Sequence, residues 1–276
     1  MNSPAIAGQE PREAPPRRLR WGFHLLLVAA YPLVVGLVGW QRSRLHGPAL
    51  RHGPRGLLAV CGLELLIFGM VFGLAWLASR ASRQSLLLPW RGGYGMIALS
   101  VGYSLALRLA VALAAVVAAM LLLALRLVSV PSLQRFVLAN RPDVQALVDV
   151  SALRQNPLYF WLTITLVSFV VAGLREELWR SGFLAGMGAL WPRRFGSCGG
   201  QLAAAALAAV VFGLGHLAQG TLAVLPTALL GFGLGAIMVL HRSIWPAVLA
   251  HGFFDATTFL VLALVPGLAD QVPRFR

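Results

Sequence analysis

The sequence predicts an all-α fold: a polytopic membrane helical bundle of about seven to eight transmembrane helices. Three observations carry that prediction. Only 12% of the residues are charged and 58% are hydrophobic, against roughly 25% charged in an average soluble domain. The apolar residues fall in runs of about 20, the length a helix needs to cross the hydrocarbon core, and the mean hydropathy is +0.77. No strand alternation of the membrane β-barrel kind occurs, so helices remain the way to satisfy backbone polar groups in lipid.

The elements follow in order. Residues 1–20 are rich in Pro, Arg and Glu and are expected to form a disordered tail. Arg17, Arg18 and Arg20 then precede the span Trp21–Trp40. This span resembles a signal peptide but is long for one, and no small-x-small cleavage site follows, so it reads as a retained anchor. The second span is Gly56–Ser79, and the third, Met96–Leu125, carries Arg108. At about 30 residues the third is either tilted or a crossing joined to an interfacial piece. Residues 21–125 thus form an N-terminal helical group. A polar linker over 126–157, with Pro131, Pro142 and Pro157 and a weakly amphipathic stretch, separates it from a core over 158–265. The core spans are Leu158–Leu174, Gln201–Ala218, Thr221–Leu240 and Ile244–Val265, with a tail at 266–276. Small residues crowd the last spans, from Ala203 to Ala209 and at Gly213, Gly215, Gly231, Gly233 and Gly235, which allows close helix contact.

The formal charge of +14 comes entirely from arginine, placed in short loops between apolar spans. That placement suits anchoring against membrane lipid and implies no nucleic-acid partner. The arginines divide almost evenly between alternate loops, so they favour a cytoplasmic N-terminus only slightly. Cys61, in an apolar span, and Cys198, in a Gly-rich loop, are too few for a disulfide framework or a thiolate metal site. Oligomeric state is not readable from the sequence.

The chain has nine acidic residues, and two are adjacent in Arg175-Glu176-Glu177-Leu178-Trp179-Arg180. An ionisable group at membrane depth costs about 2.5–3.5 kcal/mol unless paired or functional. On a helix Arg180 lies four residues from Glu176 and three from Glu177, so it neighbours both. It can hold one carboxylate ionised while the other accepts a proton from water, as a general base must. Two histidines follow on later spans, with Phe212 and His216 four apart and His251 and Asp255 four apart. A carboxylate on the face of His251 can fix the imidazole tautomer. Gly213, Gly215 and Gly252 leave room beside them for a substrate backbone.

These three motifs, in this order, resemble those of the CPBP family of intramembrane peptidases. That family includes the CAAX prenyl endopeptidase type II and Abi (bacteriocin-immunity) proteins. Its pattern is EExxxR, then FxxxH, then HxxxN or HxxxD, all on membrane helices. The likeness covers roughly residues 158–265 and includes the run from Leu229 through Ile244-Trp245-Pro246-Ala247 to His251. There is one departure: the family's arginine falls where this chain has Ser181, and Arg180 comes one residue early.

The resemblance implies an intramembrane endopeptidase acting on a membrane-embedded or lipid-anchored peptide or protein substrate. Glu176 would be general base on a water, assisted by His216, with Glu177 and Arg180 fixing the site. His251 and Asp255 would stabilise the oxyanion, and an ionised Asp255 would do so by orienting His251. Phe212 would support the site. The resemblance implies no cofactor; the alternative is zinc, because two His and a Glu serve some zinc hydrolases, although HExxH spacing is absent. Two other functions are considered: a catalytically inactive scaffold or immunity-type protein, and a small transporter using Glu64, Arg108 and the Glu176–Glu177 pair as a proton path, for which no convincing internal repeat is seen. Glu64 and Arg108 are expected to pair across helices. Trp191-Pro192-Arg193-Arg194 reads as an interfacial anchor, and His24, His46, His52 and His241, at span ends or in loops, receive no role. The plasma membrane of a prokaryote is the expected location.

Overall fold

The computed structural model describes residues 15–46, 53–140 and 148–265. The chain begins with α1 (Pro15–His46), α2 (Gly53–Ser79), α3 (Gly95–Ala124), α4 (Val130–Asn140) and α5 (Val150–Gln155). Next come α6 (Pro157–Leu162), a π-helix (Thr163–Leu174) and α7 (Arg175–Leu190), joined end to end. Then follow α8 (Pro192–Phe195), α9 (Cys198–Gly215), a 3-10 turn (Leu217–Gln219), α10 (Thr221–His241) and α11 (Trp245–Leu264). There is no strand among the described residues. Seven helical segments are long and apolar enough to cross a membrane, with the third unbroken and 30 residues long. The protein is an integral, multi-pass membrane protein.

Helix ends explain the boundaries. Asp149 accepts from the Ala152 amide to cap α5, and Asn156 accepts from Tyr159 to cap α6, where Pro157 takes the first turn. The linker 126–157 therefore holds two short helices. Helix α1 begins at Pro15, so residues 15–20 are helical rather than part of a disordered tail, and Arg20 Nε donates to Ala78 O at 2.8 Å. Residues 1–14 and the tail 266–276 lie outside the described residues. Cys198 is the first residue of α9, capped by Ser197, rather than part of a loop.

Helix α7 is the centre of the bundle. Every residue from Trp179 to Met187 is buried, so no side of this stretch faces solvent or lipid. Helix α1 packs on it where Gly182 and Gly186 allow close approach; a Cβ there would lie 3.4 Å from Val28 and 3.1 Å from Leu25. Trp179 Nε1 donates to Val28 O at 2.6 Å across the same contact. His24, expected to lie idle near a span end, is fully buried here. Its Nε2 lies 2.9 Å from Gly182 O, and its Nδ1 lies 2.9 Å from Ala75 O and 3.1 Å from Ser79 Oγ, joining α1, α7 and α2.

Helix α3 shows the polarity of a lipid-facing span. Its buried residues are Ser100 and Ser104, while Leu105, Leu109, Leu113 and Val116 are exposed. Arg108 continues that polar stripe one turn on. It caps no carboxylate directly: Nη2 donates to Thr257 Oγ1 at 2.6 Å, to Thr258 Oγ1 at 2.9 Å and to Phe254 O, all on α11. The expected Glu64–Arg108 pair is not formed, because each side chain finds a nearer partner. His241, also given no role, meets Tyr103 Oη at 2.8 Å and joins α10 to α3.

The α2–α3 connection closes one end of the bundle. Leu87 O accepts from Ile244 N and Leu88 O from Trp245 Nε1, both at 2.8 Å, so this loop satisfies groups at the start of α11. Replacing His24 by Leu keeps the volume but removes the buried ring nitrogens that meet Ala75 O, Gly182 O and Ser79 Oγ. It is expected to cost about 1–3 kcal/mol, read as a lower midpoint of tryptophan-monitored unfolding in detergent, with the far-ultraviolet helix signal unchanged.

Candidate active site

The π-helix sets the direction from which the carboxylates enter. Its sequence, Thr163-Ile-Thr-Leu-Val-Ser-Phe-Val-Val, is rich in β-branched and hydroxyl residues. Thr163 Oγ1 donates to Tyr159 O at 2.8 Å and Ser168 Oγ to Thr163 O at 3.0 Å, the latter five residues back, at the π spacing. Helix α11 lies against this segment at two glycines. A Cβ on Gly173 would come within 2.9 Å of Val248 O, and one on Gly252 would enter the Phe169 ring. These contacts hold His251 beside the start of α7.

There the two carboxylates have different environments. The Glu177 side chain is fully buried: Oε1 accepts from His251 Nδ1 at 3.1 Å, and Oε2 is ion-paired with Arg180 Nη1. The Glu176 side chain is 16% exposed, with Oε1 accepting from Arg175 Nη2 at 2.8 Å. Its Oε2 faces His251 Nε2 at 3.8 Å, and Asp255 Oδ2 lies at the same distance from that nitrogen, its side chain 25% exposed. Donation of Nδ1–H to Glu177 leaves Nε2 as the nitrogen turned toward the more accessible carboxylates. The gaps of 3.8 Å exceed a direct hydrogen bond and suit an intervening water or substrate oxygen.

Arg180 is fully buried. Besides Glu177 it meets aromatic faces, with Cζ 4.8 Å from the Phe212 centroid and 5.9 Å from that of Trp179. Gly231 and Gly235, one turn apart on α10, make its slot: a Cβ on the first would lie 3.4 Å from Nη2, and on the second 3.3 Å from Cδ. The ion pair thus forms between positions three apart. Ser181, in the place where the resemblance expects arginine, is buried and donates to Leu86 O in the α2–α3 loop.

His216 follows the last turn of α9. Gly36 of α1 crosses closely there; a Cβ on it would be 2.8 Å from Gly215 O. His216 Nδ1 donates to Phe212 O at 2.7 Å, which turns Nε2 away from the helix. The Phe212 ring centroid is 4.4 Å from that of His216 and 6.3 Å from that of His251. Glu176, Glu177, Arg180, His251 and Asp255 therefore converge directly, and His216 joins them through Phe212.

Two participants, Arg175 and Glu64, were not placed at this site by the sequence, which paired Glu64 with Arg108. Arg175 bridges Glu176 to Glu64 of α2, its Nη1 donating to Glu64 Oε2 at 2.8 Å. The available signals were the adjacency of Arg175 to Glu176 and the position of Glu64 as the lone acidic residue between 21 and 125. Glu64, Glu176, Glu177 and Asp255 face Arg175, Arg180 and the nearby Arg108. One further proton makes this cluster electrically neutral, the state a low-dielectric interior favours. As for metal binding, both Glu177 oxygens and the His216 Nδ1 are engaged. Among the described residues no three His, Cys, Asp or Glu side chains converge in a way that could hold a metal ion.

Residues 157–257 match the family described as Type II CAAX prenyl endopeptidase Rce1-like, a stretch that contains all three motifs. No curated protein and no solved structure matches the chain. Through this C-terminal segment the chain is similar to the type II CAAX prenyl endopeptidase family of membrane peptidases.

Proposed function

We propose that the protein is an intramembrane endopeptidase that hydrolyses a peptide bond in a membrane-embedded or lipid-anchored substrate, using a water activated by Glu176. The observation that carries this reading is the asymmetry of the two carboxylates. Glu177 is buried with both oxygens engaged, whereas Glu176 is partly exposed and keeps one oxygen 3.8 Å from His251 Nε2. In this reading Glu176 takes a proton from water as the resulting hydroxide attacks the scissile carbonyl carbon. It then returns the proton to the leaving amine as the C–N bond breaks.

His251, carrying both ring protons, is oriented by Nδ1–H on Glu177, and its Nε2–H donates to the oxyanion that forms at the carbonyl oxygen. Asp255 stands beside that nitrogen and orients it, while His216 Nε2 assists in placing the water. The Glu177–Arg180 pair holds the frame. No metal enters this scheme. The proposed location is the plasma membrane of a prokaryote, with a membrane-embedded or lipid-anchored substrate as partner.

The test is terminal-peptide mapping of membranes from cells carrying wild-type protein or Glu176→Gln, with and without a chelator. The expected result is a set of cleavage products lost in the variant and kept in chelator. Loss in both would identify a metal enzyme, and no difference at equal abundance would leave an inactive scaffold. On products so identified, His251→Ala is expected to lower kcat by about 10²–10³ with folding retained, the magnitude of one lost oxyanion donor.

A further inference from the structure

The Arg175 guanidinium links two carboxylates from different parts of the chain. Nη1 contacts Glu64 Oε2 and Nη2 contacts Glu176 Oε1, both at 2.8 Å. Its side chain is 13% exposed, so this is a largely dry fork whose geometry is fixed from both sides. Tyr31 of α1 also lies beside it. Arg175 sits at the junction of the π-helix and α7, directly before the proposed base.

We infer that Arg175 and Glu64 are positioning residues for Glu176, so that the N-terminal spans supply part of the catalytic unit. The inference rests on Glu176 acting as base. Anchoring Oε1 on Arg175 leaves Oε2 as the oxygen turned toward His251 Nε2. Glu64 holds the other guanidinium nitrogen at the same distance, so the fork that aims Glu176 is fixed from α2 as well as from α7. Glu64 lies outside residues 157–257, the family-matched segment, and reaches the site through α2.

The pairing is read first, without turnover, as a double-mutant cycle on Glu64→Gln and Arg175→Gln in the full-length protein in detergent. The thermal midpoint of unfolding is measured for each variant. The expected result is non-additive: the double variant loses about as much as Arg175→Gln alone, and Arg175→Lys stays near wild type. Additive losses in the double variant would overturn the inference.

If Arg175→Gln fails to fold, the same cycle on Arg175→Lys and Glu64→Gln decides it. The cycle needs no turnover, so it stands apart from whether Glu176 is the base. On products that Glu176→Gln abolishes, Glu64→Gln is expected to lower kcat with KM unchanged. A raised KM at unchanged kcat would instead place Glu64 in substrate binding and refute the positioning role.

Discussion

A charge pair with no access to water underlies the arrangement: Glu177 with Arg180, both fully buried on one face of α7. Placing two ions in such a setting is costly unless each finds its partner, and removing one partner typically costs about 3–5 kcal/mol. The surrounding packing is shaped to that requirement. Gly231 and Gly235 give the guanidinium its slot, Phe212 and Trp179 present ring faces to it, and His251 fills the remaining oxygen of Glu177. The elements that carry the three motifs are thus held around a single buried ion pair, which leaves the neighbouring Glu176 free for other work.

That division of labour between adjacent glutamates follows from helix geometry. Side chains one residue apart point in different directions on a helix, so one carboxylate enters the core and the other stays beside the more accessible Asp255. The π-helix before them and the glycine contacts with α11 set how closely the histidine approaches. On the far side, Arg175 and Glu64 tie the same turn of α7 to α2. The N-terminal spans thereby do more than anchor the chain. They also pack on α7 through Gly182 and Gly186 and hold it with the buried His24.

Much of this was legible in the sequence. Hydropathy located the seven spans because a membrane crossing needs an apolar run of nearly fixed length, and the third span proved continuous. The i, i+4 spacing placed His251 with Asp255, and the scarcity of charge marked Glu176, Glu177 and Arg180. Partner choice across helices was not legible. Glu64 and Arg108 looked like a pair because each is an isolated charge in a neighbouring span, but helix rotation and depth decided otherwise, giving Glu64 to Arg175 and Arg108 to α11. The π-winding was also hidden, since it depends on hydroxyls meeting carbonyls that regular helical spacing would keep bonded. His24 looked peripheral because α1 extends beyond the apolar run. The one-residue shift of Arg180 looked damaging, yet a three-residue spacing still reaches Glu177, and Ser181 takes up a bond to the α2–α3 loop.

The most direct measurement is a double-mutant cycle of unfolding free energy on Glu177→Gln and Arg180→Met in detergent. The account predicts that each single variant loses about 3–5 kcal/mol and that the double variant recovers most of that loss. Additive losses, or singles as stable as wild type, would contradict the claim that this ion pair organises the site.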